Sequence, residues 1–216
     1  FETKNIWYFR IDRKKKLPIT TILFALGLSK EKIINTFYTV SKYTYDISSK
    51  MWITDFDPNS YKRPIKLSYD LIDSKNNKKL LSKGEKLNFI IAKKFQEKGL
   101  KSILSTNEQI VGKYISTDIK DEKNELIIGA GFDITEEQLE KIINSNVKNL
   151  NIVNIDPINK GSYLLETLKT DKNSNKTDAL NDIYKVLLSG TNKSSLLIKC
   201  NVFISLIIIY KILLLR

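Results

Sequence analysis

The residue types that this sequence lacks limit the chemistry that it can perform. Its 216 residues include no histidine and a single cysteine, Cys200. A Ser-His-Asp triad, a Cys-His dyad and an imidazole metal ligand are therefore excluded, and a lone thiol can build neither a disulfide nor a thiolate zinc site within the chain. Any catalysis would have to use carboxylates, lysines or hydroxyls.

The densest run of charge is Asp12–Lys16, in which one aspartate precedes four cations. Cations at this density could neutralise nucleic-acid phosphates, and each such contact steepens the salt dependence of binding by about 0.9 in log-log slope. The alternative is a solvated turn in which Asp12 serves as the local counter-ion. The residues alone favour the solvated turn.

The overall composition weakens the argument from charge. The chain has 36 basic and 24 acidic residues, a net charge of +12, which favours an anionic partner such as nucleic acid. However, 32 of the basic residues are lysines, and 31 isoleucines and 19 asparagines accompany them. This combination is typical of an AT-rich coding sequence, so only a local concentration of charge should count as evidence.

A second candidate site is the pair of carboxylates at Asp55 and Asp57. Paired carboxylates can hold Mg²⁺ in polymerases. Here they precede Pro58, Asn59 and Ser60, a combination that is typical of turns. We therefore favour a turn over a metal site.

The elements around the basic run form a first module of strand, basic corner, helix and helix. Ile6–Ile11 is rich in β-branched and aromatic residues and predicts a strand that reaches the surface at Asp12. Pro18 suits the first turn of a helix, and Ser29 suits the N-cap of a second one. The apolar positions expected to face inward are Ile19, Ile22, Leu23 and Leu26 in the first helix and Ile33, Ile34 and Phe37 in the second.

An internal repeat with an offset of 47 residues occupies the middle of the chain, in two copies at about 70–105 and 118–153. Each copy predicts a hairpin, a capped helix and a strand. Asn88 is the expected N-cap in the first copy, and Thr135 with Gln138 predicts a capping box in the second. Gly99 and Asn146 suit the left-handed helix C-terminus. Two copies favour a pseudo-symmetric small domain over an open solenoid.

Towards the C-terminus, a polar loop at Lys169–Asp178 is expected to precede a helix at Ala179–Leu188. Leu180, Ile183, Tyr184 and Leu187 are expected to share its apolar face. The final segment, Leu196–Arg216, is an Ile/Leu run interrupted by polar residues. Its longest apolar stretch, Val202–Tyr210, is too short to span a bilayer core of about 30 Å.

Two blocks carry a resemblance to a known family. Tyr8–Gly27, which reads YFRIDRKKKLPITTILFALG, resembles a signature of the bacterial DNA-directed RNA polymerase β subunit, RIDRRRKLPxTxLLRALG. Gly161–Leu187, which begins GSYLLETL and includes ALNDIYK, resembles GPYxxxTL followed by ALxDIYR in the same family. The resemblance covers about residues 1–188, and the chain departs from the family pattern after Leu188.

The resemblance implies an α+β fold in which lobe-type mixed helices and strands are interrupted by a β-rich inserted module with an internal duplication. The expected organisation is the first part of a lobe domain at 1–37, the inserted module at 38–159, a return to the lobe at 160–188 and a divergent tail at 189–216. The chain thus resembles a fragment of a longer subunit, and a frameshift near Leu188 would explain the tail.

The resemblance also gives the basic corner a role, because the family's lobe flanks the downstream DNA channel. The residues that it implies in nucleic-acid binding are Arg10, Asp12, Arg13, Lys14, Lys15 and Lys16. In the family, the aspartate of the RID motif lines a pocket for an unpaired guanine of the nontemplate strand, and a carboxylate suits that role because it accepts from N–H edges. Lysines at 14 and 15 keep the charge of the family's arginines but lose bidentate geometry. Trp7 is out of register with the pocket's tryptophan and is expected to pack in the strand.

The implied function is that of part of a nucleotidyltransferase subunit in transcription, in the cytoplasm. The implied partners are DNA and the β′, α and σ subunits, with no membrane. No catalytic or metal-binding residue and no cofactor is expected in this fragment, since the Mg²⁺ of the intact enzyme is held by another subunit. Two alternatives stay open: a membrane-tethered interaction protein anchored by Leu196–Arg216, and a free DNA-binding module.

Overall fold

The computed structural model describes residues 5–12, 15–155 and 161–188, and these form two compact units. The first unit joins the residues up to Phe37 with those from Ile155 onward, and the second comprises Tyr38–Asn154. Helices and antiparallel strands are mixed along the chain, so the predicted α+β class is confirmed. Identification of the units with a lobe domain and an inserted module stays a prediction.

The elements are short, as expected for a chain rich in turns. The helices are α1 (Ile19–Ala25), α2 (Lys30–Phe37), α3 (Phe89–Glu97), α4 (Asn107–Ile110), α5 (Glu136–Asn144), α6 (Tyr163–Thr170) and α7 (Lys176–Leu188), with a one-turn 3-10 helix at Pro58–Tyr61. The strands are β1 (Tyr8–Asp12), β2 (Lys15–Pro18), β3 (Thr39–Asp46), β4 (Met51–Asp55), β5 (Ile65–Lys66), β6 (Leu71–Asp73), β7 (Lys79–Leu81), β8 (Lys86–Leu87), β9 (Ser102–Ser105), β10 (Ile119–Lys120), β11 (Leu126–Ile128) and β12 (Asn149–Asn154).

In the first unit, β1 and β2 form an antiparallel hairpin that leads directly into α1. Strand β2 was not expected from the sequence, because its four residues are too few to show an alternating pattern and three of the preceding ones are charged. Helix α1 packs against both α6 and α7, which lie more than a hundred residues away in the chain. The N-terminal module is therefore completed by the C-terminal helices.

The apolar faces of three helices differ from the predicted ones. On α1 the buried residues are Thr20, Thr21, Leu23, Phe24 and Ala25, so only Leu23 of the predicted face is buried. Phe37 is 42% exposed, because it is the last residue of α2 and the following Tyr38 is buried instead. On α7 the buried residues are Ala179, Ile183 and Leu187, whereas Leu180 and Tyr184 face solvent. The buried face of α7 is therefore rotated from the predicted one. The predictions for these three helix faces were wrong in the positions named.

The predicted polar loop at Lys169–Asp178 contains a buried polar network. Helix α6 continues to Thr170, and Asp171 and Asn173 are both buried. The hydroxyls of Thr20 and Thr21 on α1 donate to Oδ2 of Asp171, while the backbone N–H and side-chain amide of Asn173 donate to Oδ1 at 2.9 and 3.0 Å. Asp171 thus ties α1 to the segment between α6 and α7.

The second unit is built on a six-stranded antiparallel sheet in the order β12-β3-β4-β9-β6-β7. Two short antiparallel pairs, β5 with β8 and β10 with β11, lie outside this sheet. The one-turn 3-10 helix after β4 is capped by Asp57, whose carboxylate accepts from the N–H of Asn59 at 2.9 Å. Asp57 thus performs the turn role favoured from the sequence.

The repeat is visible as the same order of elements in both halves of this unit. Strands β6 and β7, helix α3 and strand β9 correspond to β10, β11, α5 and β12. Asp70 accepts from the N–H of Lys83 at 2.7 Å, and its counterpart Asp118 accepts from the N–H of Ala130 at 2.7 Å. The offset is 48 up to the hairpin turn and 47 after it, because the first turn holds one additional residue.

The caps predicted for the repeat helices are confirmed. Asn88 accepts from the N–H of Ile91 at 2.9 Å, and Thr135 with Gln138 forms a reciprocal capping box. Gly99 has φ +95° and Asn146 has φ +54°, the left-handed conformation expected for each. Each copy also has its own apolar core, with Leu71, Leu87, Ala92 and Leu100 in the first and Ile119, Ile134, Leu139 and Leu150 in the second.

Candidate nucleic-acid interface

The candidate interface is the basic hairpin, defined as β1, β2 and the residues between them. Arg10 and Lys16 are directly opposite each other in the antiparallel register, and both are exposed. Like charges at directly opposite positions destabilise a strand pair, typically by a few tenths of a kcal/mol to about 1 kcal/mol. An anion that lies between the two cations would relieve this repulsion.

Lys16 has a second neighbour that holds its charge in place. Its Nζ lies 4.4 Å from the centroid of the Tyr8 ring, a cation–π distance. Tyr8 is 45% exposed, so it presents an aromatic face on the same hairpin. Sequence reasoning missed Tyr8, because its place beside Lys16 depends on the pairing of β1 with β2, and β2 was not expected.

Lys15 is committed to a structural contact. It is half-buried, and its Nζ donates to the backbone carbonyl oxygen of Val186 at 3.1 Å. A cation in the last turn of α7 satisfies an orphan carbonyl and interacts favourably with the helix dipole. The two partners are separated by 171 positions in the chain, so no local pattern could indicate this contact.

Trp7 anchors the start of the hairpin on α6. Its backbone N–H donates to the Thr167 hydroxyl at 2.9 Å, and its ring stacks on Tyr163 with centroids 6.0 Å apart and 10° between planes. Trp7 precedes β1 and is 50% exposed, so the expectation that it packs within the strand is wrong. Instead, it orients the hairpin relative to the helices that support it.

Three of the predicted site residues are described incompletely or lie outside the described residues. The backbone of Asp12 ends β1 and is paired with Lys15, while its side chain lies outside the described part of the chain. Arg13 and Lys14 fall between the described ranges. The structure therefore brings Arg10, Lys15 and Lys16 together on one hairpin, and the guanine pocket at Asp12 stays a prediction.

The membrane alternative has no support in the described residues. No helix among them is both long enough and apolar enough to cross a bilayer. The Ile/Leu run Leu196–Arg216, on which that alternative depends, lies outside the described residues.

Comparison with known proteins gives one consistent result. No protein-family model matches the chain. Over 195 residues, or 90% of its length, the chain is 42% identical to the DNA-directed RNA polymerase subunit beta of Ehrlichia canis. The chain is homologous to a segment of RNA polymerase β subunits. The β subunits of Agrobacterium fabrum and Rickettsia prowazekii are each 39% identical to it over 191 residues, or 88% of the chain.

The chain spans 14% of the length of these polymerase β subunits. The resemblance predicted from the two sequence blocks is thereby confirmed at the level of a β-subunit segment. Overall sequence identity indicates common descent but does not assign roles to single side chains. Binding of nucleic acid by the basic hairpin therefore stays a prediction.

Proposed function

We propose that the chain works as a segment of a DNA-directed RNA polymerase β subunit, in which the basic hairpin holds the downstream DNA near the nontemplate strand during transcription. The observation that carries the proposal is the exposed, directly opposed pair Arg10 and Lys16 in a segment homologous to polymerase β subunits. Its partners would be DNA and the β′, α and σ subunits.

The cations of the hairpin are suited to contact phosphates rather than base edges. Arg10 and Lys16 point from adjacent strands, and the cation–π contact with Tyr8 restrains Lys16 before any ligand arrives. Restraining a long cationic side chain in advance lowers the conformational entropy lost on binding. Lys15 donates to the carbonyl oxygen of Val186 and thereby attaches the hairpin to α7, so it contributes less to the contact with DNA.

We further propose that this segment performs no catalysis itself. Apart from Asp12, which is proposed to contact a guanine, the charged side chains of the hairpin are cations, which can position a polyanion but cannot ligate Mg²⁺. Metal-dependent chemistry is assigned to other parts of the assembled enzyme.

The direct test measures binding of the chain to a fluorescently labelled DNA duplex as a function of salt concentration. The variant that combines Arg10→Ala and Lys16→Ala should lower the log-log salt slope by about two, since each phosphate contact contributes about 0.9. Its matched control combines Lys120→Ala and Lys123→Ala, which removes the same charge from exposed positions of the second unit. Equal losses from the two variants would contradict the proposal.

The proposed guanine contact of Asp12 has its own test. Asp12→Ala should abolish any preference of the chain for a bubble with an unpaired guanine over one with an unpaired adenine, because the alanine cannot accept from the guanine N–H edge. An unchanged preference would remove Asp12 from the proposal and leave the phosphate contacts of Arg10 and Lys16 standing.

A further inference from the structure

The two copies of the repeat have opposite charge. The structure extends each copy upstream, because the β5–β8 pairing has its counterpart in the bridge between Tyr114 and Asp133. With this extension, residues 65–105 contain ten lysines and four acidic residues, a net charge of +6, whereas residues 113–154 contain five lysines and eight acidic residues, a net charge of −3. A lysine-rich coding bias would act on both copies alike. The asymmetry is therefore a local concentration of charge of the kind that composition does not explain.

In the first copy, three lysines and an exposed aromatic ring lie on the β5–β8 ribbon and on the two turns beside it, which are joined by the hydrogen bond from the N–H of Gly84 to the carbonyl oxygen of Leu67 at 2.8 Å. Lys66 and Lys86 are directly opposite in the short β5–β8 ribbon, and both are exposed. Lys83 lies with its Nζ 6.0 Å from the centroid of the Tyr69 ring, and Tyr69 is 43% exposed. We call Lys66, Lys83, Lys86 and Tyr69 the first-copy cluster.

Two carboxylates, Glu85 and Asp70, lie close to this cluster, and each is engaged locally: Glu85 accepts a hydrogen bond from the N–H of Ser82. In the described part of the chain, neither Lys66 nor Lys86 forms an ion pair. The nearby carboxylate of Asp70 is paired with Lys79 at 2.7 Å and also accepts from the N–H of Lys83. Directly opposed like charges destabilise a ribbon. The Lys66–Lys86 pair repeats the arrangement of Arg10 and Lys16 in the basic hairpin.

The equivalent positions of the second copy show that the fold does not require these residues. The pairing of Lys66 with Lys86 corresponds to the bridge between Tyr114 and Asp133. By the same correspondence, Ala130 stands for Lys83, and Thr117 stands for Tyr69. The same backbone thus folds with no cation at any of the four positions, and the first-copy cluster is an addition to the common scaffold.

We propose that the first-copy cluster binds single-stranded nucleic acid, with the three lysines on the phosphates and Tyr69 stacked on a base. Exposed aromatic rings among cations are typical of surfaces that bind single strands, because every base offers a face for stacking. Binding to a membrane surface would not require an aromatic ring beside a lysine. In a duplex the bases are stacked on one another, so their faces are not accessible to Tyr69. The inference does not depend on the proposed role of the basic hairpin.

The experiment uses the whole chain and a labelled oligothymidylate of about 20 nucleotides, which exceeds the usual footprint of one small binding fold. The combination of Lys66→Ala, Lys83→Ala and Lys86→Ala should lower the log-log salt slope by about two, since single-strand contacts contribute about 0.7 each. Tyr69→Ala should weaken binding by about 5- to 150-fold and Tyr69→Phe should restore it, as expected for stacking on one base.

Two controls separate recognition from loss of charge or fold. Lys120→Ala, Lys123→Ala and Lys141→Ala together remove three exposed charges from the second copy and should leave binding within about twofold, as distant surface charges are screened by salt. Lys86→Glu replaces a like-charged pair with an opposite one, so it should weaken binding without lowering the melting temperature.

Several results would overturn the inference. Equal loss of binding in the first-copy and second-copy triple variants would show that the binding reflects unspecific charge. An unchanged affinity in Tyr69→Ala would show that Tyr69 does not stack on a base. Preferred binding to anionic phospholipid vesicles over the oligonucleotide would identify a membrane surface instead. Because the basic hairpin is intact in all these variants, a failure here leaves the duplex measurement with Arg10 and Lys16 unaffected.

Discussion

The buried carboxylate of Asp171 offers the sharpest test of how the first unit is held together. It accepts four hydrogen bonds, from the hydroxyls of Thr20 and Thr21 and from the two amides of Asn173. Asp171→Ala removes the acceptor and leaves these donors in a site from which water is largely excluded. The change thus acts on the contact between α1 and the segment that follows α6.

The expected cost follows from the environment of these bonds. A hydrogen bond to a charged group contributes about 1.5–3 kcal/mol, and a buried donor left unsatisfied costs about 1–3 kcal/mol. The two hydroxyls can rotate towards other acceptors, so the four contributions will not add. We expect a loss of about 3 kcal/mol in the free energy of opening of this unit, which corresponds to about a 150-fold increase in the open population.

Hydrogen–deuterium exchange followed by mass spectrometry measures this effect segment by segment. Peptides from α1, α6 and α7 should exchange about 150-fold faster in Asp171→Ala, while peptides from 38–154 keep their protection. The control is Asp178→Ala in the same unit, which removes an exposed carboxylate that accepts from Asn175 at 2.7 Å and should cost less than about 1 kcal/mol. Equal acceleration in both variants, or none in Asp171→Ala, would refute the assignment of Asp171 as the tie.

Three further predictions concern the second unit, and urea unfolding of the chain measures each. Gly99→Ala should lower the free energy of unfolding by about 1 kcal/mol, because φ is +95° at this position. At the equivalent position of the second copy, Asn146→Gly should be neutral or slightly stabilising. Equal costs for the two variants would contradict the argument from backbone strain. Thr135→Ala should cost about 1 kcal/mol by removing the capping box, and a Thr135→Ser variant that also lost this stability would argue against capping. Burial, together with the nearby Tyr43 and Asp57, raises the pKa of Tyr61 above 10.0. The contribution of Tyr61 to stability is therefore present below about pH 10 and is lost as the pH rises through the folded-state pKa. Tyr61→Phe should flatten this alkaline decline in stability, and an unchanged decline would show that other groups cause it.

The parts of the fold that could be predicted from sequence are those fixed by local chemistry. Asn88, Thr135, Gly99 and Asn146 act within a few residues of themselves, so capping and left-handed conformations follow from residue type. The two-copy pattern was visible because it repeats the same local signals. The homology to a polymerase β subunit was equally visible, since the matching string around the basic corner is long and ordered.

The parts that could not be predicted depend on partners far away in the chain. Lys15 looks like a surface cation until Val186 is placed beside it, and Asp171 looks like a loop residue until Thr20 and Thr21 approach. The exposed faces of Leu180 and Tyr184 were missed for the same reason, because helical spacing does not say which of two adjacent stripes meets a neighbour. The contrast in charge between the repeat copies acquires meaning only once the register shows which positions correspond.

We propose that the basic hairpin of this chain lies against downstream DNA in an assembled RNA polymerase. The most direct measurement places a photo-cross-linking amino acid at the exposed position 16 of a β subunit that carries this segment, assembles it with its partner subunits on a DNA template, and maps the cross-links. If the hairpin lies there, cross-links form to DNA downstream of the bubble, and fewer of them form at high salt. Cross-links to protein alone, or to DNA upstream of the bubble, would contradict it.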